Sequence, residues 1–309
     1  MEKHRKYCII PFAERLITES HMKKFFAGID LGGTKILTVI TDSDRSVLSK
    51  IRVPSESLKG VDHVIGNMFR SVTEGCEAAG IDPRGLGGIG IGVPGPVDHK
   101  TGMVYDCPNL MNWKNIEVGR IFREKFQTDI VVENDARVAG LAEVRFGAAK
   151  GYRHVFYVTV STGIGGAIIT DGRIYHGADG AAGEFGQFIL LDGSIMESVY
   201  AGPAVERLFG IKTEQIPSLI ITGDPGAQKA LDHLIHGLGI YLSNITTLLN
   251  PEIIVIGGGV SCLGSIFIDP LQEMVKKNAF SISSKNIKVV SAGLGTDSGA
   301  IGAVELLFQ

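Results

Sequence analysis

Two short glycine loops, and an Asn-Asp pair between them, are the residues of this chain whose types and spacing could do chemistry. Asp30-Leu31-Gly32-Gly33-Thr34-Lys35 sets a carboxylate, two glycines, a hydroxyl and an amine at the end of an apolar, strand-like run. In the second half of the chain, Ser161-Thr162-Gly163-Ile164-Gly165-Gly166 offers hydroxyls and glycines in the same setting. Glycines let backbone N–H groups close on a phosphate with no Cβ in the way. Thr34, Ser161 and Thr162 add hydroxyl donors, and Lys35 a positive charge. Asp30, beside terminal phosphates, would hold Mg2+ or its water. Either loop alone is equally a plain Gly-Gly turn, but two in matched contexts are a far more specific signal. Neither fits G-x-x-x-x-G-K-[ST], and their glycines lead into strands rather than helices, so a P-loop and a dinucleotide fingerprint are both excluded.

Between the loops, Glu133-Asn134-Asp135-Ala136-Arg137 ends the strand-like run DIVVE. A carboxylate at a strand end facing a cleft can accept a hydroxyl proton as a phosphoryl group is transferred, and Asp135 is assigned that role. Asn134, both donor and acceptor, suits a sugar hydroxyl. It equally suits capping the helix that follows, and the two roles are compatible. A third cluster, Gly257-Gly258-Gly259, follows the run Ile253 to Ile256. It offers flat backbone to an adenine or ribose, or simply a strand-to-helix turn.

The elements that must position these groups are legible in outline. From Phe25 to Val53 the pattern is strand, glycine turn, strand, turn, strand. HVFYVTVSTGIGGAIITDGRIYHG repeats it in the second half, an internal duplication. Val61 to Ala79 has helical spacing with Val64, Ile65, Met68, Val72 and Cys76 on one face. A long helix is expected from about Gly226 to Leu249, with a stripe running from Leu231 to Leu248 and a stop at Asn250-Pro251. SGAIGAVELLF reads as a closing helix. The expected class is α/β, in two halves with a cleft between them. The expected domains are residues 24–135, joined by the closing helix at about 297–309, and residues 136–296. Residues 1–23 read as a disordered arm, with Met22 a candidate start.

Composition narrows the function classes. The formal charge of −3 over 309 residues gives no general pull toward nucleic acid or anionic membranes, and no apolar run approaches the roughly 20 residues of a membrane span. The four cysteines, Cys8, Cys76, Cys107 and Cys262, form no C-x-x-C pair, which favours reduced thiols in a cytoplasmic protein. The 41 glycines cluster at the motifs rather than in a low-complexity tract.

Taken together, Asp30 to Lys35, GIGVPGPVD, PNLMNW, ENDAR, STGIGG, GAAGEFGQ and MESVYAGPAV resemble the ROK family (repressor, open reading frame, kinase) of the actin, Hsp70 and hexokinase superfamily. The resemblance runs from about Lys24 to the C-terminus. It implies two ribonuclease-H-like domains with an interdomain cleft, and ATP- and Mg2+-dependent phosphorylation of a hexose or N-acetylhexosamine, often at O6. It places Asn109, Asn134, Asp135, Glu184, Gln187 and Glu197 around the sugar, and implies a homodimer. Two departures stand out. Gln187 replaces the usual histidine, and FILLDGSIM replaces a segment that usually carries C-x-C-x-x-x-x-C before Met196-Glu197. Without those thiols and that imidazole no structural zinc is expected, and the sugar's identity is left open among glucose, fructose and N-acetylhexosamines.

Two readings compete with a kinase. A sugar-responsive repressor would need a winged helix-turn-helix, for which the residues before Lys24 are too few. A sugar sensor without catalysis would keep the pocket and lose turnover, and the intact Asp30 and Asp135 argue against it.

Overall fold

The computed structural model describes residues 24–107 and 109–309. The expected N-terminal arm, Cys8 and Met22 lie outside them. Two five-stranded sheets carry the same topology, each beginning with one of the glycine-turn hairpins. In the first, β1 (Phe25–Leu31), β2 (Lys35–Thr41) and β3 (Val47–Pro54) are antiparallel neighbours. β4 (Leu86–Val93) then joins parallel to β1, and β8 (Ile130–Asn134) parallel to β4. In the second, β9 (His154–Val160), β10 (Ile164–Thr170) and β11 (Arg173–Ile174) are antiparallel, followed by parallel β12 (Ile253–Gly257) and β13 (Lys288–Ser291). The strand orders are β3-β2-β1-β4-β8 and β11-β10-β9-β12-β13. The duplication expected from the two hairpins therefore extends through both sheets. A small sheet of β5 (Val97–Asp98), β6 (Met103–Asp106) and β7 (Lys114–Ile116) is inserted between β4 and β8. Its strands are too short for a periodic signal.

Helix α1 (Val61–Ala78) covers the first sheet with the face the sequence defines: Val64, Ile65, Met68, Val72 and Cys76 are all buried. It is followed by α2 (Val118–Phe126), which buries Val118, Phe122 and Phe126, and α3 (Asp135–Phe146). Short helices α4 (Met196–Tyr200), α5 (Gly202–Phe209) and α6 (Ile216–Ile221) lead to α7 (Pro225–Leu249). Asp224 caps α7 by accepting from Ala227 N, and Asn250, in the left-handed region at φ 48°, ends it. Its stripe is buried or partly buried from Leu231 to Ile245, but Leu248, expected inside, is exposed, and Leu249 of the same turn packs on the core instead. α8 (Ser265–Asn278) packs on α7; α9 (Ser281–Ser284) and α10 (Ser298–Glu305) complete the chain. Among the described residues no helix is long and apolar enough to cross a membrane.

The chain passes between the sheets twice, at β8 to α3 and at β13 to α10. The two helices that follow these crossings pack on each other between the sheets. α10 lies on the first sheet, with Ala300 and Val304 against Phe26, Leu37 and Val39. α3 lies on the second, with Ala139 and Val144 against Val155, Tyr157 and Val255. The contact of α10 with β4 is made at backbone distance: a Cβ at Gly90 would overlap the Ala303 carbonyl. The glycine-rich β4 is therefore a seat for a helix, which explains a composition that propensity alone disfavours in a strand.

Candidate active site

The ends of β1, β8 and β12 converge where the two crossings meet. A cleft of about 470 Å³ opens there, its lining including Asp30, Lys35, Asp135, Ser161 and Gly257 to Gly259, with Tyr157, Thr159, Ser298 and Gly299 also on its walls. Residues expected to serve phosphates, base and proton transfer are thus neighbours in space although they come from four separate stretches of chain.

Asp30 is the penultimate residue of β1 and faces Gly299 at the start of α10. A Cβ on Gly299 would collide with its carboxyl group. Burial raises the Asp30 carboxyl to about 6, against the opposing pull of Lys35. Asp135 is the first residue of α3, and one of its oxygens accepts from Ala136 N at 2.8 Å. Burial, then the charges of Asp30 and Glu184, raise it to about 7. A carboxylate poised near neutrality at a cleft is a competent proton acceptor for a hydroxyl. Cys107, near enough to feel that charge, donates from Sγ to Pro94 O at 2.6 Å, and its thiol is pushed up to about 12 by burial first and Asp135 second.

The first loop is fixed from behind. Ser55 Oγ donates to Gly33 O at 2.7 Å and Ser55 N to Thr34 O at 3.1 Å, while Gly32 N closes the turn on Lys35 O. The second loop is closed by Ser161 N donating to Gly163 O. It is held by Glu197, whose Oε2 accepts from Ile164 N at 2.7 Å. Glu197, expected at the sugar, thus also braces the loop expected at the phosphates. Gly165 lies within β10, where a Cβ would crowd Ala136 at 2.7 Å. The packing of α3 alone therefore requires glycine at this position.

Beyond Ser161 the cleft continues into a second cavity of about 280 Å³, lined by Thr162, Gly202, Glu206, Lys212, Thr213 and Gly259. Thr213 is buried there, and its Oγ1 finds no partner among the described residues. Thr162, Gly202 and Gly259 of its walls belong to motifs legible in the chain, but Glu206, Lys212 and Thr213 stand on short helices and turns that carry no periodic or motif signal.

Asn134 is the N-cap of α3. Its Oδ1 accepts from Ala136 N at 3.0 Å and Arg137 N at 3.3 Å, and its Nδ2 donates to Gly95 O at 3.1 Å, leaving one N–H over. Of the other residues expected at a sugar, Asn109 lies against Gly33 of the first loop, and Glu184 is near enough to raise Asp135. Gln187 sits exposed on the turn Phe185–Gln187, and its side chain makes no hydrogen bond to a described residue. None of Asn109, Glu184, Gln187 and Glu197 lines the 470 Å³ cleft.

A charge network missed in the sequence stands behind these groups. Arg137, 1% exposed, donates to Glu133 Oε1 at 3.1 Å and to Glu184 Oε1 at 3.2 Å. Glu133 Oε2 pairs with His176 Nε2 at 2.6 Å, and His176 stacks on His99 with ring centroids 3.9 Å apart. Burial works against the Glu133 carboxylate, but His176, Arg137 and Asn134 N hold it below the usual range. Glu184 goes the other way, raised by burial and by Glu133 and Glu197, with Arg137 opposing.

The segment FILLDGSIM forms a tight hairpin rather than an extended loop. Leu190 N donates to Ser194 O at 2.8 Å, Ile189 bridges Ile195, and Met196 N donates to Phe188 O. Phe188 packs against Phe185 and Tyr241. Backbone hydrogen bonds and aromatic contacts close this corner.

The ROK family model matches residues 26–309. A glucokinase of Halalkalibacterium halodurans is 27% identical, over 93% of this chain and 96% of that protein. A putative xylose repressor of a Caldicellulosiruptor species is 28% identical, over 91% of this chain and 77% of its own length. Among solved structures, a ROK hexokinase from Thermus thermophilus superposes with a TM-score of 0.78 at 30% identity, covering 91% of this chain and 96% of that one. A Streptomyces griseus ROK glucokinase in complex with glucose and AMPPNP gives 0.76 at 28% identity, covering 91% and 98%. The fold is thus the two-domain actin and hexokinase type, and the chain belongs to the ROK family.

Proposed function

We propose that the chain is an ATP-dependent sugar kinase that phosphorylates a hexose such as glucose, at O6, with Asp135 as general base. The observation that carries this reading is Asp135 itself: a carboxyl poised near 7, at the start of α3, on the wall of a cleft that also holds Asp30, Lys35 and three consecutive glycines. The glucokinase relatives, and the structure holding glucose and an ATP analogue, support it.

In this reading the triphosphate lies between the loops at Gly32 to Lys35 and Ser161 to Gly163. Gly257 to Gly259 lie along the ribose, and the 280 Å³ cavity with Thr213 receives the base. Asn109, Asn134, Glu184, Gln187 and Glu197 surround the sugar. The sugar hydroxyl attacks the terminal phosphorus, its proton passes to Asp135, and the bond to the bridging oxygen breaks to release ADP. Two carboxyls raised by burial, with Lys35 opposing the shift at Asp30 alone, fit a cation, and Mg2+ binds through one or two carboxylates plus substrate phosphates, so Asp30 would hold it directly or through water. Such an ion supplies charge neutralisation for the phosphates.

Fructose or an N-acetylhexosamine is the alternative acceptor. The xylose-repressor relatives keep a second class open, a sugar sensor without turnover. One panel decides: ADP release from ATP and Mg2+ with glucose, fructose, mannose, allose and the N-acetylhexosamines. Turnover with one of them supports the kinase and names its acceptor. Tight sugar binding without any turnover would establish the sensor.

A further inference from the structure

Glu143 is fully buried, and both oxygens of its carboxylate are used. It stands on α3, eight residues after Asp135, so about 12 Å further along the helix at 1.5 Å per residue. Its Oε2 accepts from Ala148 N at 2.7 Å, in the turn that carries the chain from α3 into β9. The same carboxylate accepts from Gly293 N at 3.0 Å and from Leu294 N at 2.9 Å. These last two amides belong to the passage from β13 to α10. One carboxylate therefore fastens the passage from β13 to α10 to the C-terminal end of α3.

The fastened passage borders the cleft. Ala292 and Gly295, on either side of Gly293 and Leu294, line the same wall as Gly257 to Gly259, as do Ser298 and Gly299. Ala292 N also donates to Ile256 O at 2.8 Å, which sets the passage against the end of β12. Three backbone N–H groups converging on one carboxylate form a site that only an acceptor-only side chain satisfies. A glutamine would direct N–H toward N–H on one side.

We propose that Glu143 is a positioning residue for the nucleotide: it locks the passage 292–295 to α3, so that the nucleotide-facing wall and Asp135 move as one body when the cleft closes. Cleft closure in two-domain transferases turns on a few residues where the chain crosses between domains. Here one of the two crossings, from β13 to α10, is tied through one buried anion to the helix that follows the other. The pin acts through backbone amides and touches neither sugar nor phosphate. This inference rests on the kinase reading for the identity of the ligand.

The test compares Glu143→Gln, Glu143→Asp and Val144→Ala with the unaltered chain. Val144 is buried against the second sheet and serves as a control for stability lost without loss of the pin. AMPPNP and sugar binding are measured by calorimetry at a temperature well below each variant's Tm, with hydrogen exchange at Gly293 and Leu294. Glu143→Gln is expected to weaken AMPPNP about tenfold, to leave sugar affinity within about twofold, and to speed exchange at both amides. Those shifts correspond to the typical net worth of hydrogen bonds to a charged group. Glu143→Asp keeps the charge but is one methylene short, so it should fall between. If Glu143→Gln does not fold, the Asp variant alone decides. Faster exchange with unchanged AMPPNP affinity, or an equal loss in Val144→Ala, overturns the proposal and leaves Glu143 a loop anchor. Failure of the unaltered chain to bind AMPPNP would instead overturn the kinase reading, and this inference with it.

Discussion

Arg137 Nη2 reaches Glu184 Oε1 at 3.2 Å from a position between the sheets, while its Nη1 holds Glu133 at 3.1 Å. A fully buried guanidinium is thus shared between a carboxylate of the first half and one of the second. Glu184 is one of the residues proposed at the sugar, so Arg137 fixes where that acceptor points. Arg137→Met should destabilise the fold by about 3–5 kcal/mol, the usual result of removing one partner of a buried ion pair. Arg137→Lys keeps the charge but cannot fork to both carboxylates. Its sugar KM should rise several-fold, with the ATP KM little changed. Equal changes in both constants would argue that Arg137 supports the fold alone.

Asp135→Asn tests the chemistry. The loss in kcat should be roughly 10²–10⁴-fold, the range for a general base, with sugar binding weakened much less. A smaller loss would remove Asp135 from the role. The same variant should also be the more stable protein at neutral pH. The folded carboxyl is raised to about 7 from its ordinary 3.8, so between those values the folded state binds more protons than the unfolded one. Stability then falls as pH rises through that window, and asparagine has nothing to ionise. The Tm difference between Asp135→Asn and the unaltered chain should grow from pH 4 to 7 and level off above; a constant difference would contradict the raised carboxyl.

As the proposed base, Asp135 would act in its deprotonated form. The rate constant kcat/KM should therefore climb with pH to a plateau above about 7, with Asp30, raised to about 6, steepening the acid limb. A profile flat from pH 5 to 8 would exclude a base with that environment.

Gly299→Ala should act on Asp30 without touching the core of either sheet, because the new methyl would meet the Asp30 carboxyl group. The expected result is a rise in the KM for MgATP of at least about tenfold, in line with the cost of misplacing a catalytic group by about 1 Å. The sugar KM should stay near its original value. Unchanged MgATP kinetics would separate Asp30 from the metal and phosphates.

Chelation tests the hairpin Ile189 to Ile195. Backbone hydrogen bonds Leu190–Ser194 and Phe188–Met196 close it. A zinc-specific chelator should leave Tm and turnover unchanged, and metal analysis should find no stoichiometric zinc. Loss of activity restored by zinc would show that the corner is built otherwise.

What could be read from the residues themselves was everything carried by local pattern. Alternating and β-branched runs broken by glycine-containing turns gave both hairpins, since strand and turn preferences act over a few neighbours. The spacing of Val64 to Cys76 gave α1 and its buried face. Motif chemistry marked Asp30, Asp135 and the glycine clusters. Tertiary structure alone decided which of these groups meet, because the cleft is assembled from strand ends far apart in sequence. It also decided that Gly90 and Gly165 serve helix packing, which depends on the approach of α10 and α3 rather than on any neighbour in the chain. The pairings of Arg137 with Glu184, and of Glu143 with Gly293 and Leu294, were likewise invisible beforehand. A buried charge has no sequence period, and its partner is fixed only when two distant segments are folded against each other.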